Sequence, residues 1–395
     1  MTNKQLIEKA IVATDALAAA GKLNPEQSDK FIDLVVDVTG LSGNVRIARF
    51  RADEYEIDKI NVGARVALPK AEATASSVRR GIKTSKVKLN PQNVVVPFEI
   101  SSDFRLENIE GEAVEDTIIR MMATQLANDL EELYIDGNKL GPARFEADLV
   151  EGGSSTQVVK DSYIGLADGW LKLAAAAHVV DAQGANIQSS IFSKAINEMP
   201  DKWKRVRRNM KFFLSTDHEQ NYRQTVSSRA TAAGDMALST TQNLTPFGIE
   251  AVPLPLLNAT PRVVEHATLA GTTPFQLAHK GVSQVIVTLQ TLAGNAVTPF
   301  VEGVDYTLDA ALGTVVRIGG GGIADPSPVK ITYLTQGQMI LTEYRNLILG
   351  IGRDVTIKRD EDIYADTAQY AIHVKVDVNI EEVDAAVLVK NIGLG

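Results

Sequence analysis

The stretch LGIGRDVTIKRDED, Leu349 to Asp362, places two glycines, three cations and four carboxylates within fourteen residues. A Gly-x-Gly turn can bring backbone N–H groups against a phosphate, and paired carboxylates such as Asp360 and Asp362 can hold a cation or a proton. The surroundings complete neither chemistry. Val355 stands where a dinucleotide fingerprint needs its third glycine, and the residues after it alternate like a strand rather than opening a phosphate-facing helix. The two aspartates have no convergent partners in the sequence, so a solvated turn is their expected setting.

Other chemistry-bearing residues are scattered. The five histidines, His178, His218, His266, His279 and His373, form no HExxH and no pair at metal-ligand spacing. The absence of cysteine excludes disulfides, thiolate metal sites and a cysteine nucleophile. Neither a GxxxxGK[ST] phosphate cradle nor a G-x-S-x-G elbow occurs. No catalytic residue, cofactor or metal is therefore expected. The basic stretch DKWKRVRRNMK carries Lys202, Lys204, Arg205, Arg207, Arg208 and Lys211 around Trp203. Phosphate contact is one reading; cations at every second or third position fit a solvated or subunit-contact face better. A formal charge of −9 also argues against a general nucleic-acid binder.

A chain of 395 residues exceeds the ~250 to 300 at which single cores divide, so at least two structural units are expected. Amphipathic patterns at Asn3–Ala20 and Pro25–Val38 predict two opening helices, and the internal Glu8 and Asp15 do not suit a signal peptide. No apolar run reaches the ~18 residues that suggest a membrane span, so a soluble product is expected. From Val45 to Ile100, short β-type runs flank a small, polar middle and read as a long exposed hairpin. Between Val66 and Val96 the cations Lys70, Arg79, Arg80, Lys83, Lys86 and Lys88 face one acid, Glu72. The next segment inverts the sign with Glu107, Glu110, Glu112, Glu115 and Asp116, an arrangement suited to pairing between neighbouring subunits.

Val114, Ile118, Met122, Leu126, Leu130 and Leu133 recur at helical spacing and predict a long spine helix over Glu112–Ile135. Beyond it, the sequence predicts a helix at Tyr163–Ala177, a buried strand at MKFFLS, a helix at DHEQNYRQTVSS, a mobile loop at Ser227–Asn243, and a strand in TPFGIEAVPLPLL. Asn258 to Gly337 is poor in charge and rich in short β-type runs, as in a small all-β insertion. Near the end, Ile372, Val374, Val376, Val378 and Ile380 alternate with His373, Lys375, Asp377 and Asn379, predicting a half-buried strand whose polar face is open to a neighbour.

This order of parts, with TPFGIEAVPLP followed after the insertion by NLILGIGRDVTIKRDEDIYADTAQYAIHVKVDVNIEEVDAAVLVKN, resembles the major capsid proteins of tailed bacteriophages. The resemblance implies an α+β fold: an N-terminal arm (1–44), an extended hairpin loop (45–100), a peripheral domain with the spine helix (101–162), an axial domain (163–257), the β-rich insertion (258–337), and a return to both domains (338–395). It implies a virion protein, not an enzyme, that self-assembles as hexamers and pentamers into an icosahedral shell around double-stranded DNA, in the host cytoplasm. An encapsulin-like nanocompartment shell is the alternative. The partners implied are other copies of the chain, separate scaffolding, portal or decoration proteins, and non-specific contact with packaged DNA; no membrane is involved. On this reading the subunit interfaces draw on Arg79, Arg80, Lys83 and Lys86 against Glu110, Glu112 and Glu115. Arg353, Asp354, Lys358, Arg359, Asp360, Glu361 and Asp362 become candidates for salt links between capsomers.

Overall fold

Four β-type runs open the described part of the chain, which in this computed structural model comprises residues 44–50, 55–61, 83–101, 114–228, 242–291, 297–352, 356–362 and 366–393. The two N-terminal helical patterns, most of Ser227–Asn243, and Arg79, Arg80, Glu110, Glu112, Arg353 and Asp354 lie outside these residues.

The opening strands are β1 (Arg46–Phe50), β2 (Tyr55–Asn61), β3 (Lys83–Leu89) and β4 (Gln92–Ser101). Only β2 and β3 pair with each other. Of the hairpin expected over Val45–Ile100, the described residues pair as one only over Tyr55–Asn61 and Lys83–Leu89. The reason is burial: β1 hides Ala48 and Phe50, and β4 hides Val94 and Ile100, which an exposed arm cannot do. Both strands instead join a sheet built from the far end of the chain.

The spine helix α1 spans Val114–Asp136, and Leu126, Leu130 and Leu133 form its buried stripe. It stops at Gly137, where the backbone of Gly169 approaches closely and its N–H donates to the Gly137 carbonyl at 2.7 Å. A side chain at Gly137 would lie 2.7 Å from the Ala167 carbonyl oxygen, so only glycine fits. The short hairpin β5 (Ala143–Phe145) and β6 (Val158–Lys160) follows. The helix expected over Tyr163–Ala177 is reduced to α2, Trp170–Ala174. Asp161 explains the loss, because its Oδ1 accepts the N–H groups of Tyr163 and Ile164 at 3.1 and 3.2 Å and turns the segment away from a helix.

Next come β7 (His178–Asp181), α3 (Ser189–Glu198), β8 (Met210–Ser215), α4 (Thr216–Ser227) and β9 (Glu250–Leu254). Ser215 caps α4 by accepting the His218 N–H. Residues 262–334 contain β10 (Arg262–Leu269), β11 (Phe275–Gln276), β12 (Ser283–Leu289), β13 (Tyr306–Asp309), β14 (Thr314–Arg317) and β15 (Ser327–Leu334). These strands make two three-stranded sheets, β10-β15-β12 and β11-β14-β13, over a separate core that includes Val287, Val315, Val329, Ile331 and Tyr333.

The closing strands are β16 (Gly337–Glu343), β17 (Leu347–Gly352), β18 (Thr356–Asp362), β19 (Thr367–Ile380) and β20 (Ala386–Ile392). β19 runs antiparallel to β17 and β18 along one edge and to β4 along the other, while β1 adds parallel to β17. A second five-stranded sheet has the order β7-β20-β16-β8-β9. One apolar cluster joins α1 and α2 to both sheets, with Trp170 at its centre donating to the Asn379 carbonyl at 3.2 Å. α3 and α4 contribute to a separate cluster on the second sheet, around Phe192, Phe212 and Met339.

Candidate subunit-interface surfaces

Two surfaces carry the charges singled out in the sequence: the hairpin β2–β3 and the strand β18. In the hairpin, register decides which charges meet. Glu56 lies opposite Lys88 and Asp58 opposite Lys86. Lys86 reaches Glu56 at 2.5 Å and Asp58 at 4.0 Å, and Lys88 reaches Glu56 at 3.2 Å. The hydrogen bond from Lys86, followed by that from Lys88, holds the Glu56 carboxyl below the usual carboxylate range. Lys86 and Lys88 thus have partners within the arm itself, on a strand whose acids the sequence reading did not weigh. Lys83 faces Asn61 across the hairpin, and Glu115 belongs to the first turn of α1.

The root of the hairpin is fastened to the end of β19. Lys59 meets Glu382 at 2.7 Å and donates to the Glu381 carbonyl at 2.8 Å; Arg46 meets Glu381 at 2.9 Å. From the other strand, Asn379 donates to the Lys88 carbonyl at 3.0 Å, and the Asn90 N–H donates to Asp377 at 2.7 Å. A small apolar cluster of Ala48, Ile57, Leu89 and Ile348 closes the corner beneath. The polar face of β19, expected to be open to a neighbour, is therefore covered at Asp377 and Asn379 by the arm's own root. Lys59 and Glu382 stand 323 residues apart, so no local pattern signals the clamp.

β18 corrects the reading of Asp360 and Asp362 as turn residues. Both lie in a regular ladder, opposite Gln369 and Thr367. Arg359 faces Tyr370 across the ladder, with its guanidinium 5.8 Å from the ring centre, and Tyr370 stacks on Phe98 at 5.0 Å. Arg359 also meets Glu361 at 2.8 Å. One face of β18 thus braces a three-strand ladder, Arg359 on Tyr370 on Phe98. Lys358 and Asp360 point the other way and are exposed, while Asp362 is partly buried. Among the described residues, Lys358 forms no ion pair, and no third strand pairs with the outer edge of β18. On the opposite edge, Pro97 in β4 lacks the N–H that a further strand would need.

The basic stretch forms a 3₁₀ turn, Lys204–Asn209, ahead of β8. Lys204 bonds Asp201 at 3.0 Å, Lys211 bonds Glu250 at 3.0 Å, and Lys202 lies over the Trp203 ring at 4.6 Å. Arg205, Arg207 and Arg208 are exposed. No group of three or more potential metal-ligating side chains occurs among the described residues, and no helix among them is long and apolar enough to cross a membrane.

No family model matches the chain. It is 25% identical over 391 residues to the Bacillus subtilis (strain 168) protein YqbE, whose name is that of a prophage capsid protein; the alignment covers 98% of this chain and 97% of YqbE. Among solved structures it is similar to a chain of the satellite phage P4 procapsid including size determination (Sid) protein, with TM-score 0.57, 11% identity, and coverage of 99% and 98%. A second match is the capsid of the native GTA particle, with TM-score 0.50, 11% identity, and coverage of 90% and 91%. The chain thus has the fold of these phage-particle shell chains, a hairpin, β2–β3, joined to a two-sheet body, and is similar along its whole length to a protein that bears a prophage capsid name.

Proposed function

We propose that copies of this chain assemble as hexamers and pentamers into a closed icosahedral shell around a double-stranded DNA genome. The observation that carries this reading is the hairpin β2–β3, clamped at its root and paired only with itself, on a body whose fold matches a procapsid chain along its length. Such an arm suits contact with a neighbouring copy, and the outer edge of β18 with Lys358 and Asp360 offers a second contact line. Residues 1–44 act as an arm, the hairpin β2–β3 as the extended loop, 101–162 as the peripheral domain, 163–257 as the axial domain and 258–337 as the insertion, with 338–395 returning through both main domains and β1 and β4 belonging to the body's sheet. Assembly takes place in the host cytoplasm with separate scaffolding and portal proteins. The exposed Arg205, Arg207 and Arg208 suit a solvated or subunit-contact face, with non-specific contact to packaged DNA as the second reading.

The test is expression of the full chain, sedimentation, and electron microscopy of the pelleted material, with the ratio of absorbance at ultraviolet wavelengths reporting content. Closed shells that fill with DNA when packaging proteins are present support the reading. Closed shells that hold only protein under the same conditions support the nanocompartment alternative. A chain that stays monomeric under every assembly condition overturns both.

A further inference from the structure

Strand β18 pairs with β19 along one edge, and among the described residues no strand pairs with its other edge. Across the same ladder, β4 carries Pro97, which cannot donate to a further strand, so β18 is the better of these two edges for extending the sheet. Five of the seven residues of β18 are charged. Charge on an edge keeps most strands away, yet it admits one whose charges run in the opposite order.

Along β18 two cations, Lys358 and Arg359, are followed by three acids, Asp360, Glu361 and Asp362. An antiparallel second copy of β18 reverses that order and brings acids toward cations. A two-fold axis normal to the sheet makes the contact isologous and keeps opposed side chains on one face. The Glu361 N–H is taken by the Asp360 carboxylate at 2.9 Å, so it points off the ladder rather than toward β19. By the alternation of an antiparallel ladder, the outward N–H groups then belong to Ile357, Arg359 and Glu361.

These facts select a register. With the axis at Arg359, the three outward rungs meet one another and form about six backbone hydrogen bonds. Lys358 and Asp360, both exposed, then stand opposite each other twice, at the closer-spaced positions between those rungs, with Cα atoms about 4.5 Å apart. Arg359 meets its own copy at a wider rung, where each guanidinium already has Glu361 of its own strand at 2.8 Å and the Tyr370 ring 5.8 Å away. Moving the axis to Asp360 sets Arg359 opposite Glu361, but those two are already paired within the strand, and it forces Asp360 against Asp360 at a close position. Moving it to Lys358 does the same to two lysines.

We propose that β18 joins two copies of this chain edge to edge, antiparallel about a two-fold axis at Arg359, with Lys358 of each copy against Asp360 of the other. On docking, the Glu361 N–H passes from the Asp360 carboxylate to a backbone carbonyl of the second strand, and Asp360 turns to the second copy's Lys358. The inference rests on the shell reading, which supplies the second copy, and it states which copies touch. Successive members of a hexamer or pentamer ring are not related by a two-fold axis, so this contact joins chains of different rings.

The chain contains no cysteine, so an introduced pair reports alone. The full chain carrying Lys358→Cys and Asp360→Cys is assembled under a mild oxidant and run on a denaturing gel without reductant. Most of it is expected to migrate as a dimer that reductant abolishes, because directly opposed strand positions satisfy disulfide geometry. Lys358→Cys or Asp360→Cys alone is expected to give several-fold less. Lys358→Asp alone sets acid against acid on both sides of the axis and is expected to reduce sedimenting shells several-fold; adding Asp360→Lys restores the pairs and the yield. The proposal is overturned if the double-cysteine chain gives no more dimer than the single variants, if Asp360→Cys alone links as well, or if the charge exchange does not rescue. Wild-type shells without the cross-link strike the strand pairing and leave the shell reading standing. If the wild-type chain forms no shells, the shell reading fails, and the absence of the cross-link in the concentrated chain overturns the pairing separately.

Discussion

Replacing Lys59 with methionine removes the charge that fastens the arm while keeping the aliphatic stem. Two charge-assisted contacts are lost, to the Glu382 carboxylate at 2.7 Å and the Glu381 carbonyl at 2.8 Å. The two charged side chains are 17% and 19% exposed, so the pair is neither fully screened nor fully desolvated. Hydrogen bonds to charged groups contribute about 1.5 to 3 kcal/mol, and partial exposure reduces the expected loss to about 1 to 2 kcal/mol. With a factor of ten for each ~1.4 kcal/mol, the ratio of seated to unseated arms falls about 5- to 30-fold. The contact is local, so thermal unfolding of the unassembled chain should change little. Yield of sedimenting shells should fall several-fold, because an arm free to swing must be ordered each time a neighbour docks. Glu382→Gln in the Lys59→Met background should add little, since both changes break the same bond. Shell yield equal to wild type, or additive losses in the double variant, would refute the argument that this clamp aims the arm.

Three further outcomes are expected. A methyl group at Gly337 would fall inside the His218 imidazole, which Ser215 Oγ holds at 2.5 Å, so Gly337→Ala should destabilise the chain by about 1 to 3 kcal/mol; in a His218→Ala background the same change should cost much less, as a denaturant-unfolding cycle would show. Lys330 is buried with its amine on the Gly141 carbonyl at 2.7 Å, and burial pushes it down to about 8 from 10.5. Between those values the unfolded chain binds a proton that the folded chain does not, so stability rises with pH across that window. The gain should be about 1 to 2 kcal/mol after discounting, and Lys330→Met should abolish that component of the pH slope in denaturant midpoints. Reversing Arg79 and Arg80 to glutamate should reduce sedimenting shells while the chain still melts cooperatively; shells at wild-type yield would remove these two residues from the interface.

The long elements were legible because their apolar spacing exceeds any local noise. Alternation from Tyr370 to Ile380 gives the buried row of β19, and the recurrence of Leu126, Leu130 and Leu133 gives α1. The arm's charges were only half legible. Lys86 and Lys88 stand out against one acid when counted along a window, yet a strand that begins outside that window brings Glu56 and Asp58 opposite them. Pairing register is a property of two strands, and no single stretch contains it. The same limit hid α2: alanines at 174–177 predict a helix, but one side-chain oxygen of Asp161 captures two N–H groups upstream and leaves room only for Trp170–Ala174.

Lys330 shows a further limit, and it bears on how the insertion is held. Along Ser327–Leu334, strand alternation would send Lys330 and Thr332 outward, away from the core shared with Val329, Ile331 and Tyr333. Both are nevertheless fully buried, because the loop and strand at residues 141–145 cover that outer face. The cover is largely polar: Lys330 donates to the Gly141 carbonyl, and the Ala143 N–H donates to Thr332 Oγ1 at 3.0 Å. The apolar part of this seat is small, centred on Ala143, Val158 and Ile286. The insertion is docked by amine, hydroxyl and amide contacts, so removing either partner of one such contact leaves a buried polar group unsatisfied at the seat.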